Sequence, residues 1–321
     1  MSDVDADPIE LDFVTLDVFT QNKYEGNPLA IVNVPASVKL TQAQKQSIAR
    51  EFNLSETTFL HEQSSEKLSW TVDIFMTNAE LPFAGHPTIG TACYALAHAA
   101  VARNLAERTL EAEFKIKAGP VGLQYDVRNK TARASIPHDF HVHTKRWTRG
   151  ELLKLYPKLK AGFENQEFGL KEDFPIVSVV KGMTFVLAEL ESEKALSLVG
   201  TTGSSLFVDG LDQAWCETFV GLYFFVRGGE AADGTKKLRT RMIEGTLEDP
   251  ATGSAASDLA GYLALVEGKS GETLKFAITQ GVEMGRRSEI GLEIVRAGGD
   301  GIDKVYLEGS AVKVMEGRLS V

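Results

Sequence analysis

The chain has 321 residues, 43% of them hydrophobic and 24% charged, and no segment approaches the roughly 20 apolar residues that a membrane span requires. Its net charge of −10, from 34 basic and 44 acidic residues, argues against nucleic acid as a partner, because affinity for a polyanion depends on clustered lysine and arginine. Length and composition therefore predict a water-soluble protein that binds neither membrane nor nucleic acid and has room for two domains.

The first residues predict a tail followed by strands. Residues 1–10 are acidic and lack the basic and apolar regions of a signal peptide, so we expect a solvated N-terminal tail and a cytoplasmic location. From residue 11, "LDFVTLDVFT" alternates apolar and polar positions as a half-buried strand does. "EGNPLAIVNV" then predicts a turn and a second strand.

The next segment predicts a helix with a defined start and end. Thr41 and Gln44 have the spacing of a capping box, in which each side chain bonds the backbone N–H of the other residue. Asn53 can end this helix, and "SETTFLHE" resumes a strand-like pattern. Glu56 therefore falls at the joint between a helix and a strand, where a glutamate is usually a solvated charge.

Two similar stretches occur in the two halves of the chain. "ELPFAGHPTIGTACYALA" at 80–97 and "EDPATGSAASDLAGYLAL" at 248–265 share the pattern E-x-P-x-[AT]-G-[HS], which aligns Gly85 with Gly253. Each glycine precedes residues that are small or apolar on nearly every side, which predicts two buried helices. A repeat near half the chain length indicates two similar domains, each a sheet around one buried helix, with chance similarity as the alternative.

Strand-like stretches surround both copies. They are "KLSWTVDIFMT" before the first copy, "FPIVSVV", "MTFVLAEL" and "GLYFFVR" before the second, and "FAITQGVEM", "EIGLEIVR" and "VYLEGSAVKVMEG" after it. The second half thus repeats the plan of the first, with strands leading to the motif and a helix following it.

Both copies place a glycine at the start of a helix, where the first N–H groups have no partner inside the helix and the helix dipole favours an anion. If the two domains face each other, the two helix starts converge on one cleft and favour a carboxylate there. His86 and Ser254 occupy equivalent cap positions. An ordinary N-cap is the favoured interpretation of Ser254, whereas His86 is less suited to capping. Asp249 is either a loop-capping carboxylate or a functional one.

These motifs also carry a resemblance, because the chain is similar to the PhzF-like phenazine-biosynthesis family, which shares its fold with diaminopimelate epimerase. The matching stretches follow the family's order over nearly the whole chain: "DVFTQNKYEGNPLAIV", "NLSETTFL", "ELPFAGHPTIGTA", "EDPATGSA", "QGVEMGRRSEI" and "VYLEGSAVKVMEGRL". The resemblance implies an α+β fold of two pseudo-symmetric domains, each a mixed, mostly antiparallel β-sheet or barrel wrapped around a central buried helix. We place these domains at 11–130 and 131–321, with the last strand able to return to the first domain. The resemblance further implies an active site in the cleft between the domains, and a homodimer.

The resemblance assigns roles to individual residues. The family's catalytic glutamate is carried by its N-L-S-E motif, which makes Glu56 the base and acid that moves a proton. The other implied site residues lie in the two repeated motifs. We predict that His86 and Asp249 are catalytic together with Glu56, by orienting polar groups and steadying charge, and that Gly85, Gly253 and Ser254 bind the substrate.

The two cysteines separate this chain from cysteine-dependent racemases. In the related epimerases the acid and base are two cysteines, one within each repeated motif. Neither Cys93 nor Cys216 lies at those positions, and their apolar settings and wide separation indicate buried structural thiols. A carboxylate mechanism is therefore preferred.

The predicted function is isomerisation of a small carboxylic acid, cyclic or unsaturated, by proton transfer between its carbons without metal, nucleotide or redox cofactor. Two alternatives stay open at this point. One is a small-molecule-binding or scaffold relative of the same fold without turnover, and the other is a carboxylate-based epimerase.

Three of the six histidines, His138, His141 and His143, cluster in "HDFHVH". The spacing of His141 and His143 suits one face of a strand, but no acidic partner lies at ligand spacing in the sequence. A solvated edge is therefore favoured over a metal site, and no metal ligand is predicted.

Overall fold

The computed structural model of the protein describes residues 9–62, 67–106, 108–216 and 218–321, so most of the predicted tail at 1–10 lies outside the described residues. The helices are α1 (Gln42–Phe52), α2 (Gly85–Ala102), α3 (Arg149–Leu155), α4 (Pro157–Glu164), α5 (Glu193–Ser197) and α6 (Gly253–Glu267). The strands are β1 (Glu10–Val18), β2 (Asn27–Val34), β3 (Thr57–His61), β4 (Ser69–Phe75), β5 (Glu80–Leu81), β6 (Thr109–Ile116), β7 (Gly119–Asp126), β8 (Thr131–Ser135), β9 (His141–Thr148), β10 (Asp173–Val180), β11 (Met183–Glu189), β12 (Phe219–Glu230), β13 (Lys236–Glu244), β14 (Leu247–Asp249), β15 (Thr273–Gln280), β16 (Ser288–Arg296) and β17 (Ile302–Ser320). A sheet-rich α+β fold, as predicted, is confirmed.

The start and end of α1 follow the predicted local signals. The Thr41 side chain accepts a hydrogen bond from the backbone N–H of Gln44, and the Gln44 side chain accepts one from the backbone N–H of Thr41. Asn53 ends the helix with a φ of 50°, in the left-handed region that asparagine tolerates better than most residues. Four residues later β3 begins, so that Glu56 lies at the predicted joint between helix and strand.

The first of two compact units comprises Met1–Tyr24, Pro28–Ala134 and Ser310–Val321. In this unit β2 pairs in parallel with β3 across α1, and β3 pairs antiparallel with β4. The short β5 turns back antiparallel along β4. After α2 the chain returns as β6, parallel to β4, and β7 follows as the antiparallel partner of β6. Helix α2 packs against β1, β3, β6 and β7.

The second unit comprises Glu25–Asn27 and Ser135–Gly309, and its strands pair in the same order. Here β11 pairs in parallel with β12 across α5, and β12 pairs antiparallel with β13. The short β14 turns back along β13, and after α6 the chain returns as β15, parallel to β13 and antiparallel to β16. Helix α6 packs against β10, β11, β15 and β16. In each unit the repeated motif thus joins a short antiparallel strand to a helix. The strand after that helix runs parallel to the longer strand that precedes the motif.

Both motif helices are buried over most of their length, as the patterns predict. The close approach of α2 to its strands depends on Gly90, because a Cβ there would lie 2.6 Å from side-chain atoms of both Val18 and Leu29. None of the helices in the described ranges is long and apolar enough to cross a membrane.

Among the buried residues of α6, Asp258 carries an acidic side chain, and this residue has no exposed surface at all. Neither of its carboxylate oxygens accepts a hydrogen bond from a residue that the structure describes. Burial without a partner disfavours the charged form and raises the pKa of Asp258 well above its ordinary value. Burial therefore favours the neutral acid form of this side chain in the folded protein.

Asp258→Asn should remove a pH-dependent loss of stability. The folded protein binds the Asp258 proton more tightly than the unfolded chain, so the free energy of unfolding falls as the pH rises above about 4, by up to about 1.4 kcal/mol per pH unit. The asparagine variant should lack this part of the fall, and its advantage over the wild type should grow with pH in urea unfolding. Parallel stability curves for the two proteins would contradict a neutral, buried Asp258.

Candidate active site

Glu56 is nearly enclosed in the first unit, with its side chain 16% exposed. Its Oε2 atom is fully buried and makes no hydrogen bond within the described part of the chain. Nδ1 of His86 lies 3.5 Å from this Oε2 atom, which is at the outer limit of a hydrogen bond. Burial raises the pKa of Glu56 from 4.5 to about 7, against a smaller lowering by a hydrogen bond with the Ser55 side chain. The carboxyl group is therefore poised to exchange a proton near neutral pH.

His86 is held in place by the start of α2. Gly85 is the first residue of the helix and His86 the second, while the N-cap position is occupied by Ala84, whose side chain cannot cap. The prediction that His86 occupies a cap position is therefore wrong by two residues. The imidazole is nevertheless buried and directed at Glu56 from the positive end of the helix dipole.

Asp249 ends β14 in the second unit, and its side chain holds the loop that leads into α6. Its Oδ1 atom accepts a hydrogen bond from Asn27 Nδ2 at 2.8 Å, and its Oδ2 atom accepts one from Thr252 Oγ1 at 2.6 Å. Asn27 Nδ2 also donates to the carbonyl of Ala251 at 2.9 Å. Both carboxylate oxygens thus fix the approach to α6, which are the contacts expected of a loop-capping carboxylate.

Ser254 lies at the second position of α6, directly after Gly253. The N-cap residue is Thr252, whose hydroxyl donates to Asp249 instead of capping the helix. The interpretation of Ser254 as an ordinary N-cap is therefore wrong. Its side chain is half-buried at a helix start, where the first N–H groups have no partner within the helix.

A series of buried amide and hydroxyl groups supports the loop between β14 and α6. Gln280 Nε2 donates to the carbonyl of Asp249 at 2.8 Å and to Thr252 Oγ1 at 3.0 Å. Gln280 Oε1 accepts from the hydroxyl of Tyr223 at 2.9 Å, and that hydroxyl accepts from Thr240 Oγ1 at 3.0 Å. Each polar atom in this series of hydrogen bonds therefore has a partner, which holds the loop in one geometry.

Sequence reasoning missed Asn27, Gln280 and Tyr223. Asn27 lies in "EGNPLAIV" and Gln280 begins "QGVEMGRRSEI", so both fall in stretches that carry the family resemblance. No local pattern distinguishes them from surface polar residues. Tyr223 lies in an apolar strand, where an aromatic residue normally indicates only core packing.

Gly281, next to Gln280, allows the backbone of the motif to approach closely. It has a φ of 75°, and a Cβ there would lie 2.7 Å from the carbonyl oxygen of Pro250 and 2.5 Å from that of Arg286. Gly281→Ala should therefore lower the free energy of unfolding by about 1–3 kcal/mol, since neither backbone oxygen can move freely. Gly285 is the matched control, with a similar φ of 70° and nothing within 4 Å of its Cβ position. Equal losses in urea unfolding of Gly281→Ala and Gly285→Ala would show that φ alone, without the close approach, sets the cost.

Glu248, the first residue of the second motif, forms a buried ion pair. Arg241 Nε and Nη2 each donate to one carboxylate oxygen of Glu248 at 2.8 Å. Arg241 Nη1 also donates to the carbonyls of Leu196 and Val199, at 3.0 and 2.6 Å. The guanidinium thus joins β13 to the start of β14 and to the segment around α5, and its charge is compensated inside the protein.

The predicted environments of Cys216 and His143 are wrong. Cys93 is buried as predicted, but Cys216 is exposed. His143 is buried rather than solvated, and Asp212, far away in the sequence, supplies the acidic group that the sequence spacing lacks. The ligand atoms of His141, His143 and Asp212 all lie within 4.8 Å of one another, a grouping that could hold a metal ion.

Comparison with known proteins identifies relatives over nearly the full length. The family described as phenazine biosynthesis-like protein (PhzC-PhzF) matches residues 16–317. The chain is 33% identical over 317 residues to an uncharacterized isomerase of Mesorhizobium japonicum, covering 96% of this chain and 98% of that protein. It is 30% identical over 316 residues to trans-2,3-dihydro-3-hydroxyanthranilate isomerase of Pseudomonas chlororaphis, with coverage of 96% and 98%. The crystal structure of a PhzF family phenazine biosynthesis protein from Bacillus anthracis has a TM-score of 0.75 at 21% identity, covering 98% of this chain and 100% of that chain, which shows a shared fold.

Proposed function

The chain belongs to the phenazine biosynthesis-like (PhzF) family of isomerases, and on that premise we propose that Glu56 moves a proton between carbons of a small carboxylic acid. One observation carries the proposal: Glu56 is a buried carboxyl group whose pKa is raised to about 7, beside a buried histidine at a helix start. A pKa near the working pH lets one group act first as base and then as acid.

The proposed reaction is a proton shift that conserves atoms and electrons. The Glu56 carboxylate removes a proton from an activated carbon, and the electron pair of that C–H bond moves into the neighbouring unsaturated system. The protonated Glu56 then donates the proton to another carbon, where the displaced electron pair forms the new C–H bond. Substrate and product therefore have the same composition, as isomerisation requires.

The surroundings of Glu56 suit the charge that develops in such a reaction. His86 lies 3.5 Å from Glu56 Oε2 and can donate a hydrogen bond to substrate oxygen or to the glutamate itself. The first N–H groups of α2, from Gly85 onward, favour an anionic group of the substrate. In this proposal His86 orients the substrate, Gly85 binds its anionic group, and Glu56 transfers the proton.

For the second motif we propose substrate binding rather than proton transfer. Gly253 and Ser254 open a second helix with the same arrangement, which favours a carboxylate. Asp249 is a positioning residue in this proposal, because both of its carboxylate oxygens accept hydrogen bonds from Asn27 and Thr252. The proton chemistry is thereby assigned to Glu56 alone.

The relative from Pseudomonas chlororaphis supplies a first test compound, because its name specifies trans-2,3-dihydro-3-hydroxyanthranilate. This cyclic, unsaturated amino acid combines a carboxylate with carbons whose protons are activated. We propose that the substrate of this chain belongs to the same chemical class.

The decisive experiment follows the proton in deuterated water. The wild type is incubated with trans-2,3-dihydro-3-hydroxyanthranilate and related cyclic acids, and deuterium at each carbon is read by NMR. Wild-type protein should isomerise an acid of this class, with deuterium at the new C–H bond in those turnovers in which the protonated Glu56 exchanges with solvent, and Glu56→Gln should isomerise it at least about a hundredfold more slowly. Glu51→Gln, which alters an exposed glutamate five residues away, should match the wild type.

Two outcomes oppose the proposal in different ways. Equal rates of isomerisation by the wild type and Glu56→Gln would remove Glu56 from the mechanism. Deuterium entering at the carbon from which the proton left, with inversion and no shift of the double bonds, would indicate a carboxylate-based epimerase instead.

A further inference from the structure

A histidine pair and an aspartate meet at one place in the second unit. His141 and His143 are two residues apart on β9, so their side chains point to the same face of the strand. Asp212 comes from the segment before β12, and its Oδ2 atom lies 2.6 Å from His141 Nε2 and 3.9 Å from His143 Nδ1. We propose that these three side chains bind a divalent first-row metal ion, of which Zn²⁺ suits the ligands best.

The ligand types and spacings fit a tetrahedral ion. Two imidazole nitrogens and one carboxylate oxygen are ligands that zinc commonly takes, at bond lengths of about 2.0–2.2 Å. In a tetrahedron with such bonds the ligand atoms lie about 3.3–3.5 Å apart. The 2.6 Å separation must therefore widen and the 3.9 Å separation must shorten, each by less than about 1 Å. The two imidazole nitrogens, which lie within 4.8 Å of each other, must approach by up to about 1.5 Å. The proton shared by His141 and Asp212 leaves as the ion takes its place.

The hydrogen bonds of His143 define its tautomer, and a metal ion at Nδ1 would replace one long contact. The backbone N–H of Asp212 donates to His143 Nδ1 at 3.4 Å, so this nitrogen is an acceptor and the proton is on Nε2. Nε2 then donates to Ser178 Oγ at 2.9 Å, and Ser178 is itself bonded to Thr184 Oγ1 at 2.7 Å. A metal-binding histidine usually donates its second ring nitrogen in this way, which fixes both tautomer and orientation.

The site is partly exposed to solvent on one side, and the Trp215 ring packs against it. The side chain of His143 has no exposed surface, whereas those of His141 and Asp212 are 31% and 30% exposed. The Trp215 ring stacks on His141, with centroids 4.8 Å apart and planes 8° from parallel. A bound ion would thus have three protein ligands and a fourth position facing solvent, as in zinc sites that keep a water molecule.

The competing interpretation is an ordinary ion pair. His141 and Asp212 already share a short hydrogen bond, and the backbone N–H of Thr144 donates to the same Asp212 oxygen at 3.2 Å. Such a pair would fasten the segment around Asp212 to β9 without any metal. The two interpretations differ in what a metal titration would show, because a simple ion pair gives no stoichiometric, tetrahedral complex.

Cobalt(II) reports tetrahedral coordination by visible absorption, so the full-length protein, freed of metal by chelation, is titrated with Co²⁺ and then with Zn²⁺. The wild type should bind one Co²⁺ per chain with the intense visible bands of a tetrahedral complex, which Zn²⁺ should abolish. Asp212→Asn and His141→Ala should each weaken binding by at least about tenfold, and Zn²⁺ should raise the Tm of the wild type but not that of Asp212→Asn.

His98→Ala is the matched control, because it removes an exposed histidine from α2 and should leave binding unchanged. Circular dichroism of each variant checks that the fold is intact. A wild type that shows only weak, octahedral Co²⁺ bands at millimolar metal would overturn the proposal. Binding that survives both Asp212→Asn and His141→Ala would do the same, since the ion would then be held elsewhere.

Discussion

Glu56→Gln should nearly abolish isomerisation and at the same time stabilise the folded protein above neutral pH. Removing a general acid and base typically costs a factor of about 10²–10⁴ in rate. The stabilisation has a separate cause: the buried carboxyl group must ionise without a strong hydrogen bond to its Oε2 atom, whereas glutamine carries no charge. Loss of activity together with a gain in stability is the signature of a residue kept for chemistry.

The sign of the stability effect follows from the raised pKa. The pKa of Glu56 is 4.5 in the ordinary case and about 7 in the folded protein, so the folded state holds the proton more tightly than the unfolded chain. The contribution of Glu56 to stability is therefore present below pH 4.5 and is lost as the pH rises to about 7, in total about 3 kcal/mol. Glu56→Gln should lack this loss.

Urea unfolding from pH 5 to pH 8 measures this effect, with Glu51→Gln as the control whose stability should follow the wild type at every pH. The free energy of unfolding of Glu56→Gln should gain on the wild type as the pH rises and then level off above about pH 7. If the variant and the wild type kept a constant difference across this range, Glu56 would have an ordinary pKa and would be an ordinary surface carboxylate.

Glu248→Ala should lower the free energy of unfolding by about 3–5 kcal/mol, because it leaves the Arg241 guanidinium buried without its counter-ion. The side chains of Arg241 and Glu248 are 6% and 14% exposed and are joined by two hydrogen bonds of 2.8 Å. The carbonyls of Leu196 and Val199 would still accept from the guanidinium but would not neutralise it. Urea unfolding at pH 7 measures the loss.

The repeat provides a matched control at Glu80, which aligns with Glu248. Glu80 accepts hydrogen bonds from Gln42 and from Lys117, whose side chain is 55% exposed. Ion pairs with an exposed partner contribute little, so Glu80→Ala should cost less than about 1 kcal/mol. The double substitution Arg241→Met with Glu248→Leu should recover most of the stability lost in Glu248→Ala. Equal costs for Glu80→Ala and Glu248→Ala would mean that the Arg241 pair is effectively solvated.

The features that the sequence predicts correctly depend on neighbouring residues. Thr41, Gln44 and Asn53 set the bounds of α1 through bonds that span three or four residues. Gly85 and Gly253 begin α2 and α6 because small residues after a turn permit a close, buried helix. The joint that holds Glu56 follows from the same local signals. A change of pattern within a few residues is therefore enough to predict these elements.

The features that the sequence did not predict depend on residues brought together from far apart. Asn27 and Asp249 are separated by 222 positions, and their hydrogen bond follows only once the second unit has formed. Asp212 completes the histidine cluster from 69 positions beyond His143. The burial of Asp258 is equally invisible, because an aspartate in a helix is ordinarily placed on the solvent side.

A direct measurement of the Glu56 pKa tests the central claim that this residue is a carboxyl group poised for proton transfer. The protein is labelled with ¹³C at the side-chain carboxyl carbon of glutamate, the Glu56 signal is assigned by its disappearance in Glu56→Gln, and its chemical shift is followed from pH 4 to pH 9. Titration with a midpoint near 7 is the expected result. A midpoint near 4.5 would contradict the proposal, because a carboxylate of ordinary pKa is a weaker base toward a C–H bond and would lack the raised pKa on which the proposal rests.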